Sequence, residues 1–326
     1  MSLKILGMGN AVLDIVTSVS DDFLKSKDLS KGSMSLVDQK LSDDALKQID
    51  PIKKDSGGSV ANTIVSISLL GLSSFFCGKV KNDKLGDEFI SDMQKSDVVF
   101  LCDQSSEGPP TARCIVFVTP DGERSMQTFL GASTTLSEDD IRESFFKDID
   151  YLLIEGYLWS SETARKAIKK SLNFIKEKNV KVVFSLSDSG LVKMFKNDFL
   201  DFIRDSVDVL IGNESEINEL LSEYEDTNYV EATRTQIVVK TKGERGAQVF
   251  QIDKVDEISS YQVGSVIDTT GAGDMFAAGF LFKLLKGEDP KKAASFGCKI
   301  ASLIIQQYGA RLSKEKLQDL LNQKSD

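Results

Sequence analysis

Short runs rich in β-branched and apolar residues recur along this chain, and most are separated by stretches of helical length. LKILGM lies near the start, DYLLIEG begins at residue 150, VKVVFSL at 180, VDVLIG at 207 and TQIVVK at 235. Between two of them, SSETARKAIKKSLNFIKEK (160–178) puts Ala167, Ile168, Leu172 and Phe174 toward one side and lysines on the other, the pattern of an amphipathic helix. Apolar strands that alternate with such helices must be covered on both faces, which restricts the chain to a mostly parallel α/β sheet. Two segments, 12–38 and 109–130, read as strands without long helices between them. In the second, TARCIVFVTPDGERSMQTFLG places a Pro-Asp-Gly turn between two extended runs, a hairpin signal. No Pro/Gly/Ser linker divides the halves and no internal repeat is visible. The expectation is one α/β domain over 1–326, with a small β flap formed by about 12–38 and 109–130.

Composition narrows the chemistry. Lysine and arginine total 40 against 50 acidic residues, a net charge of −10, which disfavours nonspecific nucleic-acid binding. The MSLKILGMGN start carries too short an apolar stretch for a signal peptide, and no apolar run reaches membrane-spanning length. Cys77, Cys102, Cys114 and Cys298 are scattered without CxxC spacing, as expected of reduced thiols in a cytoplasmic protein. The chain contains no histidine. A Ser-His-Asp triad, a Cys-His pair and a histidine-ligated zinc are thereby excluded, and proton transfer falls to carboxylate, lysine, tyrosine or cysteine.

The stretch VIDTTGAGDMFAAGFLFKLLKG (266–287) carries the strongest chemical signal. From Asp274 onward it is apolar nearly all round, including Met275, Phe276, Phe280, Leu281, Leu284 and Leu285, so it predicts a buried helix. Gly271, Ala272 and Gly273 precede it. Small residues at a helix start let backbone approach a ligand, and the unpaired N–H groups with the helix dipole form an anion site. An aspartate would repel an anion there unless its task is to take a proton from an attacking hydroxyl. The plainer alternative is an aspartate capping a helix after a glycine turn.

Three further stretches accompany it. GGSVANTIVSISLLG (57–71) is a glycine pair opening an apolar helix, with Asn62 on the first turn. GNESEINELL (212–221) follows a strand and sets Asn213 and Glu216 three apart. VVKTKGERGAQVF (238–250) has Thr241, Gly243 and Gly246 in a turn between strands. Singly, these are a loop, a helix cap and a hairpin.

Together and in this order, the four resemble the ribokinase-like (pfkB) family of carbohydrate and nucleoside kinases, over nearly the whole chain. DTTGAGD is similar to the family's C-terminal signature, GGSVAN to its N-terminal one, NESE to its NxxE element and TKGERG to its nucleotide turn. The resemblance implies a three-layer αβα fold with a mostly parallel central sheet and a small β-sheet lid. It implies Asp274 as catalytic base, Gly271, Ala272 and Gly273 as anion hole, and Gly58, Ser59 and Asn62 on the acceptor. Asn213 and Glu216 would organise Mg2+ and phosphates through water, and Thr241, Gly243 and Gly246 would contact ATP. Asp268 and Thr270 resemble the monovalent-cation (K+) loop of some members.

GMGNAVLDIVTSVSDDFL, GGSVANT, IEGYLWSSE and the flap sequence resemble bacterial adenosine kinases within that family. Asn10 and Asp14 match nucleoside-binding residues; a carboxylate can accept from both hydroxyls of a ribose diol. Tyr157 lies near an aromatic that packs on the nucleoside, and Arg124 matches a flap arginine that reaches phosphates. Met34 departs from the pattern, standing where animal adenosine kinases carry a glutamine near the base. The implied reaction is ATP-dependent phosphorylation of the adenosine 5′-hydroxyl, with a sugar kinase of the same family as the alternative. A dinucleotide-dependent oxidoreductase is the remote one: Gly7 and Gly9 fit its fingerprint, but Val12 occupies the third glycine position. The resemblance implies a monomer or a homodimer, because the flap's Ile115, Phe117 and Phe129 could cap their own subunit or pair with another.

Overall fold

The computed structural model describes residues 3–225 and 228–322. Its strands are β1 (Lys4–Met8), β2 (Val12–Ser18), β3 (Met34–Leu36), β4 (Lys53–Gly57), β5 (Ser73–Cys77), β6 (Val98–Phe100) and β7 (Ala112–Val118). Then follow β8 (Arg124–Phe129), β9 (Tyr151–Glu155), β10 (Lys181–Ser185), β11 (Val209–Asn213), β12 (Ile237–Thr241), β13 (Ala247–Gln251) and β14 (Lys254–Ile258). Among the described residues these form a nine-stranded sheet, β14-β13-β12-β11-β10-β9-β1-β5-β6, and a five-stranded sheet, β3-β8-β7-β2-β4. The large sheet is parallel from β6 to β12 and antiparallel only at β13 and β14. All five apolar runs read from the sequence lie in it, as β1, β9, β10, β11 and β12.

Alternate residues of these strands enter different cores, as the period of a strand dictates. Ile5, Leu153, Val183, Val209 and Val239 pack on one face with helices Ser59–Leu69, Ala272–Leu285 and Pro290–Ile304. Leu6, Leu152, Phe184, Leu210 and Val238 pack on the other with helices Glu162–Ile175 and Lys196–Ser206. Sheet between two helical layers is the ribokinase-like αβα arrangement. In Glu162–Ile175 the buried face is Ala164, Ala167, Ile168, Ser171 and Ile175; Leu172 and Phe174 are only half-buried, and Phe174 meets Phe146 at a ring distance of 6.0 Å.

The small sheet contains both flap segments and one strand the sequence reading omitted. β7 and β8 form the expected antiparallel hairpin, β2 lies parallel to β7, and β4 closes the edge against β2. KKDSG, the sequence of β4, has no hydrophobic alternation; pairing with β2 makes it a strand. Segment 12–38 carries only the six-residue helix Asp21–Ser26, and a second short helix, Gln39–Leu46, follows it. Ile115 and Phe117 lie in a closed core with Leu24 and Ala45 of those two helices, and Phe129 is buried too. Of the two arrangements expected for them, these residues take the first and are covered by their own chain.

β2 follows β1 after three residues, and β4 runs directly into helix Ser59–Leu69. The small sheet is therefore continuous with the segments at the carboxyl ends of the parallel strands, where open α/β sheets place their ligands. No described helix is long and apolar enough to cross a membrane.

Helices Ala272–Leu285 and Pro290–Ile304 approach closely through Gly279 and Gly297. A Cβ at Gly297 would stand 2.8 Å from the Phe276 carbonyl oxygen and 3.0 Å from its ring. Gly297→Val should lower stability by about 1–3 kcal/mol, read as a fall in the urea midpoint; an unchanged midpoint would show that the helices do not meet there.

Candidate active site

Two apolar helices begin at the same place. Ser59–Leu69 is buried from Val60 to Ser68, and Ala272–Leu285 from Met275 to Phe282. The second starts two residues before the predicted Asp274, which occupies its first turn. Each is preceded by a glycine in a conformation other residues avoid: Gly58 at φ 101° and Gly271 at φ 75°. A Cβ at Gly58 would meet the Asn10 carbonyl oxygen at 2.3 Å, and one at Gly271 the Ala310 carbonyl oxygen at 2.5 Å. Both positions thus require glycine on two grounds.

Asp274 is the meeting point. Its Oδ1 accepts from the Ser59 hydroxyl at 2.7 Å and its Oδ2 from the Asn62 amide nitrogen at 2.9 Å, while the Thr63 hydroxyl donates to its carbonyl at 3.2 Å. Burial pushes the carboxyl up to about 6, against the pull of those two donors. It is therefore an ionised carboxylate at neutral pH with a proton affinity well above an ordinary aspartate. The Asn62 Oδ1 is buried without a partner among the described residues; an orphaned acceptor beside a carboxylate is where a hydroxyl would bind.

Around Asp274 lie two spaces. A cavity of about 190 Å³ is lined by Ser59, Asn213, Glu216, Thr241, Gly273 and Asp274. A cleft of about 840 Å³ adjoins it, sharing Thr241 and Gly273 and including Gly243, Gly246, Ala272 and the apolar Val266 and Ile305. The structure thus brings the nucleotide-turn residues and the glycine loop to one cleft that opens toward Asp274. Within the glycine loop, the Ala272 N–H is taken by the Thr269 carbonyl at 3.1 Å, whereas those of Gly271 and Gly273 have no partner among the described residues.

Asp14 stands on β2, beside the buried Cys114 thiol of β7. Burial raises its carboxyl to about 7; Arg311 opposes this, Asp55 and Asp274 add to it, and Arg124 opposes it. Asn10 follows β1, and its N–H is held by Glu155 Oε1 at 2.7 Å. Tyr157 sits at the rim, 38% exposed, its hydroxyl pushed well up by burial and by the carboxylates of Glu155, Asp188, Glu216 and Asp274.

Other expected residues are engaged with one another. Arg124 ion-pairs with Asp268 at 3.0 Å and lies over the Tyr308 ring, so the flap is tied to the loop ahead of Gly271. Asp268 is also held by the N–H groups of Thr270 and Gly309, at 3.0 and 3.1 Å; three donors already occupy a carboxylate expected to face a cation. Asn213 and Glu216 form a reciprocal helix cap, with Glu216 accepting from both the Asn213 N–H and its side-chain amide. Burial raises Glu216 to about 6. Among the described residues no cluster of three His, Cys, Asp or Glu forms. These donors fit a magnesium ion held chiefly by nucleotide phosphates and water, the usual habit of Mg2+. Met34 lies on the edge strand of the small sheet, 54% exposed.

The sequence reading missed three residues here. Glu155 ends the apolar strand β9 and is 0% exposed; a carboxylate at the carboxyl end of a buried strand was the available signal. Arg311 donates to Ser56 of β4 and Asp92 of helix Lys84–Lys95, and nothing in its local sequence announces that. Ser187 lines the small cavity at φ 72°, a conformation no sequence pattern discloses.

A part-buried carboxylate at a helix N-terminus, in a small cavity adjoining a larger cleft, is an arrangement that suits a small-molecule phosphotransferase. The model of the pfkB family of carbohydrate kinases matches residues 30–317, and the chain belongs to that family. Adenosine kinase of Saccharomyces cerevisiae is 27% identical over 341 residues, covering 97% of this chain and 99% of its own length. The 5-dehydro-2-deoxygluconokinase of Bacillus subtilis is 24% identical over 284 residues, covering 82% and 87%. Among solved structures, adenosine kinase from Sinorhizobium meliloti superposes with a TM-score of 0.88 at 31% identity over 100% of both chains. A probable sugar kinase from Rhizobium etli gives 0.85 at 32% identity over 99% of both. This chain is accordingly a sugar or nucleoside kinase by family.

The raised Asp274 carboxyl has a thermodynamic consequence. An acid whose folded value lies above its ordinary 3.8 holds its proton more firmly in the folded chain, so the fold loses stability as pH rises from about 3.8 through about 6. Asp274→Asn should therefore be more stable than the wild type at pH 7.5, by about 1–2 kcal/mol once the lost acceptor is allowed for. The gain should vanish below about pH 4. Denaturation across that range checks it; a gain constant with pH would refute the buried-charge account.

Proposed function

We propose that the protein phosphorylates the 5′-hydroxyl of adenosine with ATP. The observation that carries the phosphoryl-transfer part is the Asp274 carboxylate, raised to about 6, at the head of a helix where the cleft meets the small cavity. Full-length likeness to adenosine kinases supports the nucleoside part.

In this reading the nucleoside lies between the sheet's carboxyl edge and the small sheet, with its ribose hydroxyls at Asp14 and Asn10. Gly58 and Ser59 border it, and the unpaired Asn62 Oδ1 accepts from the acceptor. Tyr157 covers one side. ATP occupies the larger cleft along Thr241, Gly243 and Gly246, its terminal phosphate directed at Gly271 and Gly273. Asp274 removes the hydroxyl proton as the oxygen attacks in line, and the two unpaired glycine N–H groups meet the charge on the transferring group. Asn213 and Glu216 would hold, through water, a magnesium ion brought by the nucleotide, which would supply neutralisation of the phosphate charge.

The 12–38 and 109–130 segments, with β4, act as a lid on a single domain. Arg124 leaves Asp268 for the phosphates when ATP is bound, and water exclusion by the closed lid limits ATP hydrolysis. A sugar acceptor is the second reading, supported by the sugar-kinase relatives and by Met34, which stands exposed on an edge strand.

ADP release with Mg-ATP should be strong on adenosine and weak on other nucleosides, ribose, fructose and sugar acids. Asp274→Asn should lower kcat by about 10²–10⁴ while ATP binding persists. Turnover on a free sugar alone would move the substrate and keep the mechanism. Wild-type activity in the variant would remove Asp274 as base.

A further inference from the structure

The proposed chemistry makes no use of Glu155, and among the described residues it has no ion pair. Its two oxygens are nevertheless committed: Oε1 accepts from the Asn10 N–H at 2.7 Å and Oε2 from the Val60 N–H at 3.0 Å. These donors belong to different segments. Asn10 is the second residue beyond β1, and Val60 lies in the first turn of helix Ser59–Leu69, whose N-cap is Gly58 and offers no side chain. Glu155, at the end of β9, thus caps that helix from a third element. Its negative charge is favourable at a helix N-terminus.

Space is reserved for this contact. A Cβ at Gly9 would stand 2.7 Å from Glu155 Oε2, so the β1 end passes against the carboxylate without a side chain between them. Gly9 itself is fixed by donating to the Cys77 carbonyl at 3.1 Å. The two N–H donors reach different oxygens, so both ends of the group must accept, which a carboxylate does and a glutamine, with one oxygen and one NH2, does not. A fully buried carboxylate without a counter-ion opposes folding, and burial raises Glu155 to about 7 against the pull of its two N–H partners.

We infer that Glu155 is a positioning residue for the acceptor, holding the Asn10 and Gly58–Val60 backbones at the spacing at which Asn10, Ser59 and Asn62 meet one small molecule. It is closed to solvent and both oxygens are used, so it acts through those segments. The inference rests on the acceptor site proposed above.

The test is Glu155→Gln, a near-isostere that turns one acceptor into a donor facing an N–H. Steady-state kinetics would vary the acceptor that the wild type phosphorylates and Mg-ATP separately. The expected result is an acceptor KM raised at least tenfold and an ATP KM within twofold of wild type. A purely structural role would lower kcat through loss of active protein and leave both KM values, and that result overturns the inference; so does an equal rise in both. Gly9→Ala, which displaces Oε2 from the opposite side, is the second variant and should give the same split if Glu155→Gln does not fold. An unchanged acceptor KM there also overturns it. A wild-type protein that phosphorylates no alcohol would instead overturn the acceptor-site reading on which it rests.

Discussion

The arrangement depends on burying one carboxylate where two helices begin. Asp274 leaves water for a place where burial works against its charge, and the Ser59 hydroxyl and Asn62 amide return only part of the lost hydration. Everything nearby serves that compromise. Gly58 and Gly271 let two backbones turn sharply enough for the helix starts to converge, and the apolar flanks of both helices fix the geometry by packing into one core. Burial at this junction keeps the proton affinity of Asp274 high, the property that the proposed base requires.

The same economy of buried charge recurs around it. Asp14, Glu155 and Asp274 are three acidic groups raised by burial, and Asp14 is met by Arg124 of β8 and by Arg311 from the segment ahead of helix Lys314–Asn322. Arg311 joins Ser56 on β4 to Asp92 on a core helix, while Arg124 joins β8 to Asp268. The small sheet is thus fastened to the core by these polar links and by an apolar seam, in which Leu13 and Ile15 of β2 pack with Val60 and Ala61.

Much of this was legible in the sequence because it is local. The runs that became β1 and β9–β12, the 112–129 hairpin and the all-apolar helix after the glycine loop follow from periodicity and turn chemistry. The spatial convergence of GGSVAN and DTTGAGD was legible only through the family resemblance, since residues some two hundred positions apart carry no mutual signal. β4 was not legible, because KKDSG is a strand only by pairing with β2. Glu155 was hidden in an otherwise ordinary apolar strand, and the capture of Asp268 by Arg124 depends on lid position. Where the sequence left Ile115 and Phe117 to cap their own subunit or to meet another, the short helices 21–26 and 39–46 cover them.

The measurement closest to the central claim is the pH dependence of single-turnover phosphoryl transfer, with Mg-ATP and acceptor both saturating. If a buried Asp274 takes the hydroxyl proton, the rate should rise with pH with a midpoint near the value of about 6 that burial gives the free protein and level off above it. A rate that stays flat from pH 5 to 8, with transfer still limiting, would contradict a carboxylate base at this position.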